Sequence, residues 1–114
     1  MTDQPPRPGD RSPWGVIISC EDVAPGVYYV STASHGGIWL SPERLAIVPA
    51  DYRAYAERWA HGWGPGWFEE DVAASAVVAT FPELFTRRGQ CWPHVQADAL
   101  NRIERALAAR KVAQ

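Results

Sequence analysis

The chain has 114 residues and a formal net charge of −2 at pH 7. This length fits one domain with its own hydrophobic core and leaves no room for a second. The residues are 46% hydrophobic and 21% charged, as in ordinary globular proteins. No apolar run reaches the roughly 18 residues that span a bilayer, which excludes a membrane protein. The small net charge argues against direct nucleic-acid binding of the kind seen in duplex-DNA binders.

The first part of the chain differs in composition from the rest. Residues 1–13 hold four prolines and lack the apolar run of a secretory signal. We therefore expect a flexible N-terminal arm over residues 1–13 and a single globular domain over residues 14–114. The widely separated Cys20 and Cys91 indicate a reduced pair in a cytoplasmic protein of the host cell.

Short runs of β-branched and aromatic residues come next. Residues 16–20 and 27–32 are separated by Ala24-Pro25-Gly26, a turn signal, and this pattern predicts an antiparallel hairpin. Ser34-His35-Gly36-Gly37 predicts a second turn, because paired glycines permit positive φ angles. Residues 38–40 then return as a third strand.

Helical patterns fill the remainder. Ser41-Pro42 combines a favourable N-cap with proline at the first helical position, and aromatic spacing predicts a second helix over residues 50–60. Glu69-Glu70-Asp71 stands where a third helix begins, and the helix dipole favours carboxylates there. Pro93 opens a last helix with an apolar stripe. The sequence thus predicts an α+β fold in which a three-stranded antiparallel meander packs against three to four helices.

Six tryptophans are a high number for a domain of this size. We expect Trp39, Trp59 and Trp67 to fill the core, because large aromatic side chains dominate the buried area of small domains. Trp63 is flanked by glycines and is predicted to be exposed, where an indole can anchor a partner.

Two patterns suggest chemistry. Ser34-His35-Gly36-Gly37 sets a hydroxyl and an imidazole beside backbone N–H donors, as a hydrolase requires, but the chain has no G-x-S-x-G elbow. We interpret it as a structural turn and keep a small hydrolase or nucleotide-modifying enzyme using His35 as the alternative. Cys91 and His94 have a zinc-ligand spacing, yet a closed zinc site needs four ligands. No catalytic residue, metal or cofactor is therefore predicted.

Charge is distributed unevenly along the chain. Residues 1–84 carry 5 basic and 11 acidic side chains, whereas residues 85–114 carry 6 basic and 2 acidic ones. A charge distribution of this kind can attract a charged partner or a second copy of the chain. A homodimer is therefore one of the alternatives. The basic stretch from Arg102 to Lys111 leaves a DNA-binding regulator as a second alternative.

Several short motifs, in a fixed order, carry a family resemblance. They are Pro25-Gly26-Val27, Ser34-His35-Gly36-Gly37, Leu40-Ser41-Pro42-Glu43-Arg44, Trp67-Phe68-Glu69-Glu70-Asp71 and Phe81-Pro82. The set resembles a small domain family of unknown function that is found in prokaryotic phages, plasmids and integrated elements. The resemblance covers residues 14–86.

The resemblance implies an accessory protein of a mobile genetic element. Our hypothesis is an anti-CRISPR inhibitor without enzymatic activity, which binds a subunit of a CRISPR effector complex and occludes its nucleic-acid-binding surface. Acidic side chains would compete with nucleic acid for a basic groove. The predicted partner-binding residues are Glu43, Asp51, Trp63, Glu69, Glu70 and Asp71.

Overall fold

The computed structural model describes residues 4–60, 62–85 and 92–113, and in the last helix the side chains of residues 97–109. The described strands are β1 (Arg11–Ser12), β2 (Gly15–Val16), β3 (Ser19–Ala24), β4 (Val27–Ser31), β5 (Gly36–Leu40) and β6 (Trp67–Glu69). The described helices are α1 (Pro42–Leu45), α2 (Ala50–Arg58), α3 (Val72–Thr80) and α4 (Trp92–Ala113), with a 3₁₀ turn at Pro82–Phe85. The predicted α+β class is confirmed.

A four-stranded antiparallel sheet in the order β3-β4-β5-β6 forms the centre of the molecule. Its first three strands are the predicted meander, although β3 begins at Ser19, further along the chain than the apolar run suggested. The sequence did not predict β6, which pairs with β5 and places Phe68 opposite Ile38. The separate β1–β2 hairpin, with Ser12 opposite Gly15, was also missed.

One face of the sheet packs against the helices. Successive side chains of a strand point to opposite faces, and on this face Val27, Ile38 and Phe68 are buried. They belong to one core cluster with Val77 of α3 and Ile103 of α4. Burial of an aliphatic or aromatic side chain of this size contributes about 1.5–3 kcal/mol, so this layer supplies most of the driving force for folding.

The N-terminal segment covers the opposite face. Trp14 and Ile17 pack on Val30 in a second buried cluster. The backbone N–H of Ile17 donates to the carbonyl of Asp10 at 2.8 Å, which extends the β1–β2 hairpin. Pro6 is buried as well. Flexibility of residues 1–13 stays a prediction, but within the described part the Pro6 carbonyl accepts a hydrogen bond from the Cys20 thiol of β3 at 3.2 Å.

The turn predicted at Ser34-His35-Gly36-Gly37 is confirmed for Ser34 and His35 and wrong for the two glycines. The chain reverses at Thr32–His35, where the Thr32 amide donates to the His35 carbonyl at 2.8 Å. Gly36 and Gly37 lie inside β5, and neither has a positive φ angle. Their role is close approach: a Cβ at Gly37 would overlap the ring of Trp14 and the carbonyl of Phe68.

The predicted helix starts are partly confirmed. The Ser41 hydroxyl accepts a hydrogen bond from the Arg44 amide at 3.3 Å and caps α1 as expected. The acidic run does not open α3, because Glu69 is the last residue of β6. Asp71 occupies the N-cap position, but its side chain makes no capping hydrogen bond. Backbone pairing of β6 with β5 therefore decided the conformation at Glu69 over the dipole preference.

The tryptophan predictions divide. Trp39 is buried at 6% exposure and Trp63 is exposed at 45%, as expected. The prediction for Trp59 is wrong, because its side chain is 44% exposed. Trp59 follows the last residue of α2, and its ring contacts Tyr55 with ring centroids 6.3 Å apart. Trp67 is half-buried.

Candidate interaction site

The acidic end of the molecule consists of Glu21, Tyr29, His35, Glu70 and Asp71, gathered where β5 begins and β6 ends. The amide of Glu70 donates to the carbonyl of Gly36 at 2.9 Å, which continues the ladder one step beyond β6. Glu21 and Tyr29 are direct partners across β3 and β4. These residues come from four separate segments and lie across the width of the sheet from β3 to the end of β6.

His35 is held by the turn that precedes β5. Its amide donates to the Thr32 hydroxyl at 3.1 Å, and the hydroxyl lies 2.7 Å from the His35 carbonyl. The imidazole Nδ1 lies 3.4 Å from the Glu70 Oε2. These side chains are 55% and 36% exposed, so solvent screens the contact and leaves it worth less than about 1 kcal/mol.

Tyr29 reports on the electrostatics of the acidic end. Burial raises the pKa of its phenol, and the charges of Glu70, Asp71 and Glu21 raise the pKa further, in that order. Carboxylates oppose the formation of a phenolate nearby because like charges repel. Carboxylates from β3 and from the segment after β6 therefore make the surroundings of this phenol negative, although β3 and β6 are opposite edges of the sheet.

Asp71 has a strained backbone. Its φ of 76° and ψ of −122° lie in a region that residues with a Cβ rarely adopt and that glycine tolerates. The Asp71 carbonyl accepts a hydrogen bond from the Ser75 hydroxyl at 3.2 Å in the first turn of α3. Such strain costs on the order of 1–3 kcal/mol and is often kept at functional sites. An aspartate at a position suited to glycine suggests a use for its carboxylate.

The structure separates the other predicted partner-binding residues from this cluster. Glu69 pairs with Gly37 and so shares the sheet face that carries Val30, opposite to Tyr29. Glu43 lies in the first turn of α1. Asp51 lies in the first turn of α2, and Trp63 lies in the loop before β6. Their roles stay predictions, but Glu70 and Asp71 are the only two of the six in the acidic end.

Asp51 belongs to a second, smaller acidic pair. Burial raises the pKa of Tyr52, and the charges of Glu104 and Asp51 raise it further. These three residues border a groove of about 580 Å³ between the start of α2 and α4. Burial and the charges of Asp10 and Asp22 raise the pKa of the Cys20 thiol in the same way. Among the described residues, the neighbourhood around Tyr29 includes the most carboxylates.

Sequence reasoning missed Tyr29, although its position was readable in principle. Once Val27 and Val30 are known to be buried on opposite faces, alternation places Tyr29 on the face of Val27. The pairing of Tyr29 with Glu21 additionally needs the register of β3, which a bulge between Asp22 and Ala24 disturbs. That register has no local sequence signal.

The sequence offers Cys91 and His94 as metal-ligand candidates and Arg102 to Lys111 as nucleic-acid contacts. Among the residues that the structure describes, no three His, Cys, Asp or Glu side chains gather as a metal site requires. Cys91 and the side chain of His94 lie outside the described residues, as does His61.

Arg102 and Arg105 are exposed on α4. Exposure alone does not test DNA binding, and the DNA-binding alternative stays a prediction. In the described part of the chain, α4 and the shorter helices lack the length or the apolarity needed to cross a membrane.

The fold defines a small α+β domain whose antiparallel sheet is covered by helices on one face and by an N-terminal segment on the other. The chain belongs to the family described as domain of unknown function DUF7007, whose model matches residues 7–113. No curated protein and no solved structure matches the chain. The match confirms that the chain carries a domain of unknown function, and a link of this family to mobile elements stays a prediction. It extends beyond the quoted motifs at both ends, so it includes the segment that carries Trp14 and also α4.

Proposed function

We propose that this protein is a non-catalytic binding protein whose acidic end docks on a basic surface of a protein partner. The observation that carries the proposal is the placement of acidic side chains along one end of the sheet: Glu21 lies opposite Tyr29, and Glu70 and Asp71 follow β6 where its ladder with β5 ends. Clustered carboxylates attract a complementary positive surface and accelerate encounter with it. Retention of Asp71 in a glycine-type conformation gives independent support.

The partner class that we propose is a CRISPR effector complex. Such complexes hold nucleic acid in positively charged channels that contact the phosphate backbone. Carboxylates at the acidic end would occupy phosphate-binding positions in one channel and thereby block the nucleic acid. Support for this partner comes from the charge pattern and from the family resemblance to proteins of mobile elements, and the action would take place inside the host cell.

The test combines an interference assay with co-purification. Cells with an active CRISPR system would express the native protein, a double variant Glu70→Gln with Asp71→Asn, or a control double variant Glu57→Gln with Asp98→Asn. Both pairs remove two exposed or half-exposed carboxylates, but Glu57 and Asp98 lie on α2 and α4, outside the acidic end. We expect the acidic-end variant to lose about tenfold or more in affinity for the effector, and the control to keep it.

The readings of this experiment are distinct. Equal inhibition by the native protein and the acidic-end variant would contradict docking through the acidic end. Equal losses in both double variants would indicate a general charge effect instead of a local site. Absence of inhibition across several subtypes, together with binding of the acidic end to another basic protein, would remove the CRISPR partner and keep the binding function.

A hydrolase is the second candidate, and the contact between His35 and Glu70 favours it. A carboxylate that binds one imidazole nitrogen can orient the ring so that the other nitrogen acts as a base. Replacement of His35 by alanine separates the two functions when folding is checked by circular dichroism. Loss of hydrolysis of nucleotide or p-nitrophenyl ester substrates would support the enzyme, whereas retained effector inhibition would support the binding protein.

A further inference from the structure

A cleft lined by tryptophans lies at the end of β5 and β6 that is remote from the acidic end. This aromatic cleft has a volume of about 500 Å³, and prolines and leucines line it together with Gln4, Asp10, Arg11, Trp39, Trp63 and Trp67. β5 spans four residue steps, so the cleft lies about 13 Å from the acidic end along the strands. The volume falls within the usual range of small-molecule sites, about 300–1,000 Å³.

The cleft is assembled from three parts of the chain. Trp39 and Trp67 are direct partners across β5 and β6. Trp63 approaches Trp67 with ring centroids 6.3 Å apart and ring planes at 81°. The N-terminal segment forms the opposite wall and is held by a hydrogen bond of 3.2 Å from the Cys20 thiol to the Pro6 carbonyl.

Glycines shape the loop that presents Trp63. Gly62, Gly64 and Gly66 all have positive φ angles, which only glycine adopts readily. The carbonyl of Gly66 accepts a hydrogen bond from the Leu40 amide at 2.8 Å, so the loop is tied to the end of β5. The backbone therefore holds an indole that is 45% exposed above the cleft.

The polar groups of the cleft are of mixed sign. Asp10 and Arg11 follow each other at the N-terminal wall, and their charges cancel. The Asp10 Oδ2 accepts a hydrogen bond from the Arg7 amide at 3.0 Å, which fixes the carboxylate and leaves Oδ1 for a ligand. A carboxylate beside a guanidinium supplies both acceptors and donors without selecting an ion. A neutral, polyhydroxylated ligand suits this combination.

We propose that the aromatic cleft binds a neutral saccharide. A pyranose ring has an apolar face of C–H groups and a rim of hydroxyls. The apolar face packs on an indole, which offers a large flat surface. The hydroxyls reach Asp10 and Arg11, each of which satisfies more than one hydrogen bond. The site is separate from the acidic end, so this binding is independent of the proposed function.

The test uses the intact chain and soluble disaccharides, namely cellobiose and maltose. Indole ¹H–¹⁵N signals would be followed during titration, because each tryptophan side chain gives one such signal and Trp59, Trp63 and Trp67 lie at described positions. We expect the signals of Trp63 and Trp67 to shift and that of Trp59 to remain. Trp63→Ala should weaken binding about tenfold or more, whereas Trp59→Ala should leave it unchanged. Trp59 is a matched control because it is 44% exposed and lies outside the cleft lining.

Further variants settle the ligand class. Asp10→Asn should weaken binding in a folded protein, and Glu70→Gln should have no effect. Tighter binding of a hexasaccharide than of its disaccharide would identify a polymer as the source, whereas equal affinity would identify a free sugar. Equal losses in the Trp63 and Trp59 variants would overturn the proposal. So would the absence of shifts with both disaccharides, or saturation by tetramethylammonium or a proline-rich peptide in their place.

Discussion

The acidic end and the aromatic cleft occupy opposite ends of the same pair of strands, and they are built differently. The acidic end is formed by side chains of β3 and β4 and by residues next to the ends of β5 and β6, and its His35 and Glu70 are 55% and 36% exposed. The cleft depends on the N-terminal segment, which is anchored by the buried Trp14. Substitutions at the acidic end should therefore alter binding with little effect on folding, whereas substitutions beneath the cleft should alter both.

The largest expected effect tests the anchor of the N-terminal segment. Trp14 is 8% exposed and packs on Trp67 with ring centroids 5.8 Å apart. Trp14→Ala should lower the free energy of unfolding by about 3–5 kcal/mol, as is typical when a buried aromatic is truncated. This is a large part of the about 5–15 kcal/mol of a whole domain. Urea denaturation followed by far-UV circular dichroism measures the loss.

Trp59→Ala is the control for Trp14→Ala. Trp59 is 44% exposed, so we expect its truncation to change the free energy of unfolding by less than about 1 kcal/mol. Similar losses in both variants would contradict the view that the N-terminal segment is part of the core. That result would instead support the predicted flexible arm over residues 1–13.

The next effect is a gain in stability at the acidic end. Asp71→Gly relieves the strained backbone, and after the entropic cost of glycine we expect a net gain of about 1 kcal/mol. Asp71→Asn keeps the strain and should leave the melting temperature near that of the native protein. Both variants lose the carboxylate and should lose partner binding to the same extent. Lower thermal stability of Asp71→Gly would show that the backbone conformation is not strained.

Local signals in the sequence predicted some elements correctly, whereas elements that form by pairing with distant strands were missed. Ser41-Pro42 and Pro25-Gly26 are local signals, and they marked the start of α1 and the β3–β4 turn correctly. β6 was missed because it is only three residues long and forms through pairing with β5. Glu69 pairs with Gly37 as part of β6 and is therefore not at the start of α3. Backbone hydrogen bonding to β5 outweighs the preference of a carboxylate for a helix N-terminus.

The roles of glycine show the same limit. The sequence predicts a turn over Ser34-His35-Gly36-Gly37 because glycine pairs usually serve positive φ angles, but both glycines lie in β5 without them. The real constraint at Gly37 is the ring of Trp14, a residue 23 positions earlier in the chain, and no local pattern contains that contact. Exposure of Trp63 was predicted because its neighbours are glycines, but the cleft beside it needs the N-terminal wall. Sequence reasoning therefore found single residues of both sites and could not assemble them.

A pH titration tests the electrostatic part of the acidic end. The raised pKa of Tyr29 means that the unfolded chain releases the phenol proton first, from about pH 10, while the folded chain retains it. Stability from this group is complete below that pH and is lost as the pH rises towards the folded pKa. Tyr29→Phe should reduce the fall in melting temperature between about pH 9 and about pH 11.

The carboxylate contribution to the same pKa can be isolated. Glu70→Gln should lower the pKa of Tyr29, which tyrosinate absorbance measures, and should leave Tyr52 unaffected. The pKa of Tyr52 is raised by its own burial and by Glu104 and Asp51, so it is an internal reference. An unchanged titration curve in Glu70→Gln would show that burial alone raises the pKa of Tyr29 and that the carboxylates do not act on it.

The smallest effect concerns the contact between His35 and Glu70. Their 3.4 Å contact is exposed, so His35→Gln should lower the free energy of unfolding by less than about 1 kcal/mol, and added salt should weaken any ionic part of it. A double-mutant cycle with Glu70→Gln measures the coupling directly. A coupling above about 1 kcal/mol would mean that the pair holds the Thr32–His35 turn in place. A weak coupling combined with a large loss of partner binding would place both side chains at the interface, since an interface residue changes affinity without changing the fold.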